Sequence, residues 1–207
     1  MNHGQIAQSG LDNEIWFAEL FNLYTKSPTV KSLMALMGWD LSRHRRVSAY
    51  RKGGNGKADV GVDFWRRHNW PDTIYVSCKK INNNNPNGFG HIHKSTVHSY
   101  QVKWRFDDII KRCLNVFAGN TLHEGKAGLY FEHKYFDPYR LYMSNFFRDN
   151  VDTIMNDIFK GRAFDQPSWF AVTIDTGEGS KMLYMLDIED VIEYFIKNKP
   201  KGEFTIV

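Results

Sequence analysis

The sequence predicts a single α/β domain, and three patterns carry that prediction. Apolar residues recur at helical spacing near the start of the chain, two short runs near residues 59 and 74 alternate like strands, and a second pair of strand runs flanks a Gly-containing turn near residue 177. With 207 residues, 42% hydrophobic and 15% aromatic, the chain is long enough to bury one substantial core.

The elements follow in order. From Leu11 to Met37 the apolar positions Leu11, Ile15, Ala18, Phe21 and then Leu33, Leu36, Met37 give two helices. Ser27-Pro28 separates them as an N-cap followed by a proline at the first helical position, and Gly38 stops the second. The chain then turns basic and enters two strands, Asp59-Val60-Gly61-Val62-Asp63 and Ile74-Tyr75-Val76-Ser77-Cys78-Lys79. The polar, breaker-rich segment from Arg66 to Asp72 lets them return antiparallel. Asn82 to Gly90, with its run of asparagines, is a surface loop. Lys94 to Phe117 carries a helical stripe through Val97, Tyr100, Trp104, Ile109 and Leu114 that ends near Gly119, and Val151 to Phe159 forms a helix before Gly161. The aromatic-rich stretch from Leu122 to Arg148 is left unassigned. Trp169 to Asp175 and Met182 to Leu186 form a hairpin. A helix capped by Asp187 comes next, then a last strand, Glu203 to Val207.

The formal charge of +4 gains meaning from its distribution, because the stretch from Arg43 to Lys103 is rich in arginine and lysine, as a nucleic-acid surface requires. Cys78 and Cys113 are far apart and have no CxxC companion, so they read as buried thiols of a reduced compartment and not as a disulfide or zinc site. The N-terminal residues lack a signal-peptide pattern and no apolar run reaches membrane-spanning length; the expectation is a cytoplasmic protein with no membrane partner.

Strand side chains alternate faces, which sets Asp59, Gly61 and Asp63 on one side and aligns Ser77 with Lys79. An acid and a lysine on neighbouring strands suit metal-dependent phosphodiester hydrolysis. A metal neutralises the phosphate and activates water, and the lysine orients or deprotonates that water and offsets phosphate charge. Asp59 is the natural magnesium ligand, with the carbonyl of Cys78 as a backbone donor. The same pattern also fits a plain cross-strand ion pair. Asp63 reads as a second ligand or as polar surface, Lys80 as the register alternative to Lys79, and Glu14 by itself as a solvated helix face. The loop 82–94 would emerge beside a cleaved phosphate. Its Asn84, Asn85, Asn87, His91, His93 and Lys94 can contact base edges or phosphates, and Lys57 adds charge. The alternative is a flexible solvent loop.

Several segments together resemble a known family. They are Leu11-Asp12-Asn13-Glu14, Met37-Gly38, Ala58-Asp59-Val60, Ser77-Cys78-Lys79, Gly88-Phe89, His98-Ser99-Tyr100-Gln101 and Trp104-Arg105-Phe106-Asp107-Asp108, with weaker similarity through Gly161-Arg162 to the helix after Asp187. In order and spacing they resemble the type II restriction endonucleases typified by the HinP and Msp enzymes, a variant of the PD-(D/E)XK nuclease core. The resemblance implies one nuclease domain over 1–207, a mixed β-sheet flanked by α-helices. Its parts would be N-terminal helices 11–37, catalytic strands 58–81, a DNA-contacting loop 82–94 and a C-terminal helix and strand 187–207. It implies Mg²⁺-dependent cutting of double-stranded DNA at a short GC-containing palindrome, leaving a 5′ overhang, with Mn²⁺ able to substitute. A cognate DNA methyltransferase would complete the system. By the resemblance Asp59, Ser77, Lys79 and Glu14 are catalytic, and Asp59, Cys78 and Glu14 hold metal. Ser77 departs from the pattern, since this position is usually Glu in the wider core and Gln or Asn in the family. Relatives also continue past the point equivalent to Val207. Those departures keep open a nicking enzyme or half-enzyme working as a homodimer or with a partner subunit, and an inactive DNA-binding protein. An RNA-binding or structural α/β domain is the reading furthest from these.

Overall fold

Phe17, Ala18 and Phe21 lie three and four residues apart, which gives the first helix, α1 (His3–Asn22), one face to bury; all three are buried. The second helix, α2 (Pro28–Leu36), starts where the Ser27 side chain accepts a hydrogen bond from the Val30 N–H at 3.4 Å. Its end is a Schellman turn. Gly38 has φ 76°, its N–H donates to the Ala35 carbonyl, and the Trp39 N–H donates to the Met34 carbonyl, each at 3.0 Å. The computed structural model describes residues 3–23, 26–39, 42, 44, 46–53, 57–66, 70–82, 96–161, 164–177 and 180–198. Two compact units emerge, Met1–Pro86 with Phe159–Val191 and Asn87–Ile158 with Ile192–Val207.

The first unit holds a five-stranded mixed sheet in the order β1-β2-β3-β4-β5. Its strands are β1 (Arg46–Arg51), β2 (Val60–Trp65), β3 (Asp72–Asn82), β4 (Trp169–Gly177) and β5 (Ser180–Asp187). All neighbours are antiparallel except β3 and β4, whose parallel pairing follows from the long chain excursion between them. Alternation along β2 and β3 buries Val60, Val62, Phe64, Ile74, Val76 and Cys78 in one cluster with Phe17, Phe21, Val30 and Met34 of the helices. The edge strand β1 is covered by a side chain. Asn22 donates through Nδ2 to the Ala49 carbonyl and accepts the Ala49 N–H, both at 2.8 Å, so that part of the edge offers no free ladder.

The second unit is helical. The single stripe expected from Lys94 to Phe117 resolves into two helices, α3 (Val97–Trp104) and α4 (Asp108–Phe117). Arg105 takes a left-handed conformation, φ 58°, and Asp107 caps α4 by accepting the Ile109 and Ile110 N–H groups at 3.0 Å each. The unassigned stretch contains a 3-10 turn at Lys134–Phe136 and a helix, α5 (Arg140–Asp149), followed by α6 (Val151–Phe159). Trp104, Phe106, Ile110, Leu114, Phe136, Met143, Phe147 and Ile154 form its core. There the Trp104 indole donates to Asp157 Oδ2 at 3.1 Å and Lys103 sits 3.3 Å from Asp157 Oδ1. The last helix, α7 (Ile188–Lys197), starts where Asp187 accepts the Glu189 N–H at 2.8 Å, the cap expected from the sequence. The strand expected at Glu203–Val207 lies outside the described residues. Among the described residues no helix is long and apolar enough to cross a membrane, and both cysteines are free and buried.

Candidate active site

Val60 pairs with Val76, so Asp59, one residue before β2, faces Ser77 across the ladder. Its own N–H donates to the Val76 carbonyl at 2.9 Å. The carboxylate continues the pairing. Oδ2 accepts the Cys78 backbone N–H at 2.6 Å and the Ser77 hydroxyl at 3.2 Å. Asp59 therefore takes the place of a backbone acceptor at the end of the strand, half-buried and held by two successive residues of β3. Its Oδ1 has no hydrogen-bond partner among the described residues.

Lys79 follows on the same face as Ser77 and is exposed, with no ion pair among the described residues. The cross-strand Asp–Lys pair that the sequence allowed does not form, because the register brings Ser77, and not Lys79, opposite Asp59. Lys80 is occupied elsewhere: its Nζ donates to Ser9 at 3.1 Å and lies 3.5 Å from Asp175. Of the two lysines, Lys79 is the one left available to a ligand.

Glu14 enters from α1 and accepts the Arg51 Nε–H at 2.8 Å, half-buried. Cys78 ties the charged groups together. Burial pushes its thiol well above the usual range, Asp59 and Glu14 push it further, and Lys79 pulls it down. Asp63, the other acid on the Asp59 face, accepts the Thr73 hydroxyl at 2.7 Å and bonds the Tyr50 hydroxyl. Tyr50 lies so close over Gly61 that a Cβ there would meet its Cζ at 2.6 Å, which explains a glycine in mid-strand. Tyr50 is raised first by burial and then by the Asp63 charge.

Two residues not singled out from the sequence support the site. The Lys52 N–H donates to the Asp59 carbonyl at 2.9 Å. Its ammonium forms an ion pair with Asp165 and stands 5.2 Å from the centre of the Tyr75 ring. These contacts join the strand end that carries Asp59 to the segment before β4. Of the candidate DNA contacts, Asn84, Asn85, Asn87, His91, His93 and Lys94 lie outside the described residues. Lys57 is half-buried, and its side chain runs against Gly161.

The donor set suits a hard cation that keeps most of its waters. No three His, Cys, Asp or Glu side chains gather into a metal cage among the described residues, which disfavours a structural zinc-type site there. Magnesium needs only one or two carboxylates beside a backbone carbonyl and a phosphate oxygen. Asp59, whose Oδ1 is unpaired among the described residues, and the neighbouring Cys78 carbonyl meet that requirement.

The fold is that of a restriction endonuclease. It matches the crystal structure of restriction endonuclease MspI in complex with its cognate DNA with a TM-score of 0.62, over 98% of this chain and 84% of that one, at 10% identity. The model of the R.HinP1I restriction endonuclease family matches residues 37–204, and the chain belongs to that family. No curated protein sequence matches it.

Proposed function

We propose that this protein is a type II restriction endonuclease that hydrolyses phosphodiester bonds of double-stranded DNA at a short GC-containing palindrome, with Mg²⁺ as its cofactor. The observation that carries the reading is the Asp59–Ser77–Cys78–Lys79 arrangement: a carboxylate locked to β3 through one oxygen, beside an exposed lysine, with neither the second carboxylate oxygen nor the lysine paired among the described residues. Family membership and fold support it.

A bound Mg²⁺ would supply charge neutralisation at the phosphate and a more acidic water. Asp59 and the Cys78 carbonyl are the groups to hold it, with Glu14 behind them and charge-balanced by Arg51. Lys79, projecting from the same strand, offers a positive charge to the scissile phosphate and a hydrogen bond to orient the attacking water. Ser77 holds the Asp59 carboxylate and adds no charge, so the site has one anionic ligand fewer than the acid-bearing nucleases of this core. In this reading Lys57 and the segment with Asn84, Asn85, Asn87, His91, His93 and Lys94, which follows β3 in the sequence, contact DNA. The companions are a methyltransferase that protects the same site and, for a two-strand cut, a second copy or partner subunit. The setting is the cytoplasm.

Incubating the purified chain with supercoiled plasmid in Mg²⁺ and, in parallel, in EDTA tests the proposal. Discrete fragments in Mg²⁺ alone, whose sequenced ends share a short palindrome, are expected. A plasmid that stays supercoiled in both tubes while still being bound would replace the proposal with a DNA-binding protein that does not cut.

A further inference from the structure

Between α6 and β4, the described residues Gly161 and Phe164 to Ser168 are tied to one another and to neighbouring parts of the sheet unit. Gly161 turns with φ 68°, and the Gln166 side-chain amide donates back to the Gly161 carbonyl at 3.2 Å. One foot of the loop rests on Lys57, whose Cγ lies 2.6 Å from where a Cβ on Gly161 would stand. The other is tied by the Asp165 ion pair to Lys52. Past it, the Ser168 N–H donates to the Tyr75 carbonyl at 2.9 Å. Each anchor lies on or beside the strands that carry the site. Lys57 is two residues from Asp59, Lys52 bonds the Asp59 carbonyl, and Tyr75 is two residues before Ser77. Between the anchors, next to Asp165, Phe164 is fully exposed.

A single exposed apolar residue means little by itself. Trp70 shows the contrast: it is also almost fully exposed, but it sits in the turn joining β2 to β3, at the end of those strands remote from Asp59. Phe164 differs because its neighbour Asp165 is ion-paired to Lys52, whose backbone N–H bonds the Asp59 carbonyl, so its position is tied to the strand end that carries the site. An exposed aromatic ring tied in sequence to a phosphodiester-cutting site has a chemically matched ligand there, the face of a nucleobase.

We infer that Phe164 is a DNA-stacking residue, which places its ring against a base next to the cleaved phosphate and so helps seat the duplex on Asp59 and Lys79. The inference rests on the proposed DNA-cutting function. Its test is the affinity of Phe164→Ala for a fluorescein-labelled duplex carrying the wild-type cut site, measured with Ca²⁺ in place of Mg²⁺. Loss of one base–aromatic stack should weaken binding by about tenfold or more. Phe164→Trp, which keeps a stacking face, should bind like wild type, and so should the exposed-aromatic control Trp70→Ala. Because the ring touches no core, Phe164→Ala should melt like wild type. Wild-type affinity in Phe164→Ala overturns the inference, and a change in sedimentation with unchanged DNA affinity would reassign the ring to a protein contact. A wild-type chain that binds and cuts no duplex would remove the proposed function itself, and the inference with it.

Discussion

At Ser77 the chain carries a hydroxyl where the resemblance leads one to expect an amide or an acid, and the geometry shows what the hydroxyl does. It donates to Asp59 Oδ2, which the Cys78 N–H also holds. Two donors on one oxygen mean that losing the weaker leaves the carboxylate in place. Ser77→Ala should therefore still cut, with a single-turnover rate lowered on the order of tenfold or less, the worth of one hydrogen bond to a charged group. Quench-flow on the cognate duplex measures it, and complete loss of cutting would give Ser77 a direct part in the chemistry. The shared face of Ser77 and Lys79 is legible in the sequence because strand alternation is local, and the alternating run that starts at Asp59 marks the neighbouring strand. The Lys52–Asp165 ion pair was not legible: its partners lie 113 residues apart, and each alone looks like an ordinary surface charge. The resemblance raised Glu14 above a solvated helix face. The structure adds Arg51 as its partner, a contact between a helix and an edge strand that no local pattern encodes.

Among the elements, the helix starts read best, since caps are short-range. Ser27 and Asp187 both receive the N–H groups expected of them. The break between α3 and α4 was missed because Val97, Tyr100, Trp104, Ile109 and Leu114 keep an apolar rhythm across it. The signal present but outweighed was Asp107, with its side chain free to cap. Asp107 feels burial, which favours the neutral acid, but its bonds from Tyr142 and the Ile110 and Ile109 N–H groups win and hold its carboxyl below the usual range. Asp107→Ala should cost about 1 kcal/mol of stability in chemical denaturation, the worth of a helix N-cap, and unchanged stability would mean that α4 is held by packing alone. Strand β1 was passed over as part of the basic stretch. Only Val47 and Ala49 alternate inward there, between Arg46 and Arg51, so charge masked a short edge strand.

For the whole molecule, the α/β class and the mixed sheet agree with the structure, and the parallel β3–β4 pair is the feature that residue patterns alone could not supply. Periodicity identifies strands but not neighbours, and β3 and β4 are separated by the entire helical segment with its own aromatic core. That segment has a core made from helices within one stretch of chain, whereas the sheet unit draws on two separate stretches, Met1–Pro86 and Phe159–Val191. Whether this sheet displays a catalytic lysine or merely a basic surface is the decisive question, and Lys79→Ala separates the two. Lys79 is exposed and outside the core, so the variant should fold normally. The deciding measurement is plasmid cleavage in Mg²⁺ by wild type and Lys79→Ala, with duplex affinity in Ca²⁺ determined for both. With a catalytic lysine, cutting disappears while affinity falls by no more than the loss of a single phosphate contact. A Lys79→Ala enzyme that cuts at the wild-type rate would contradict that role.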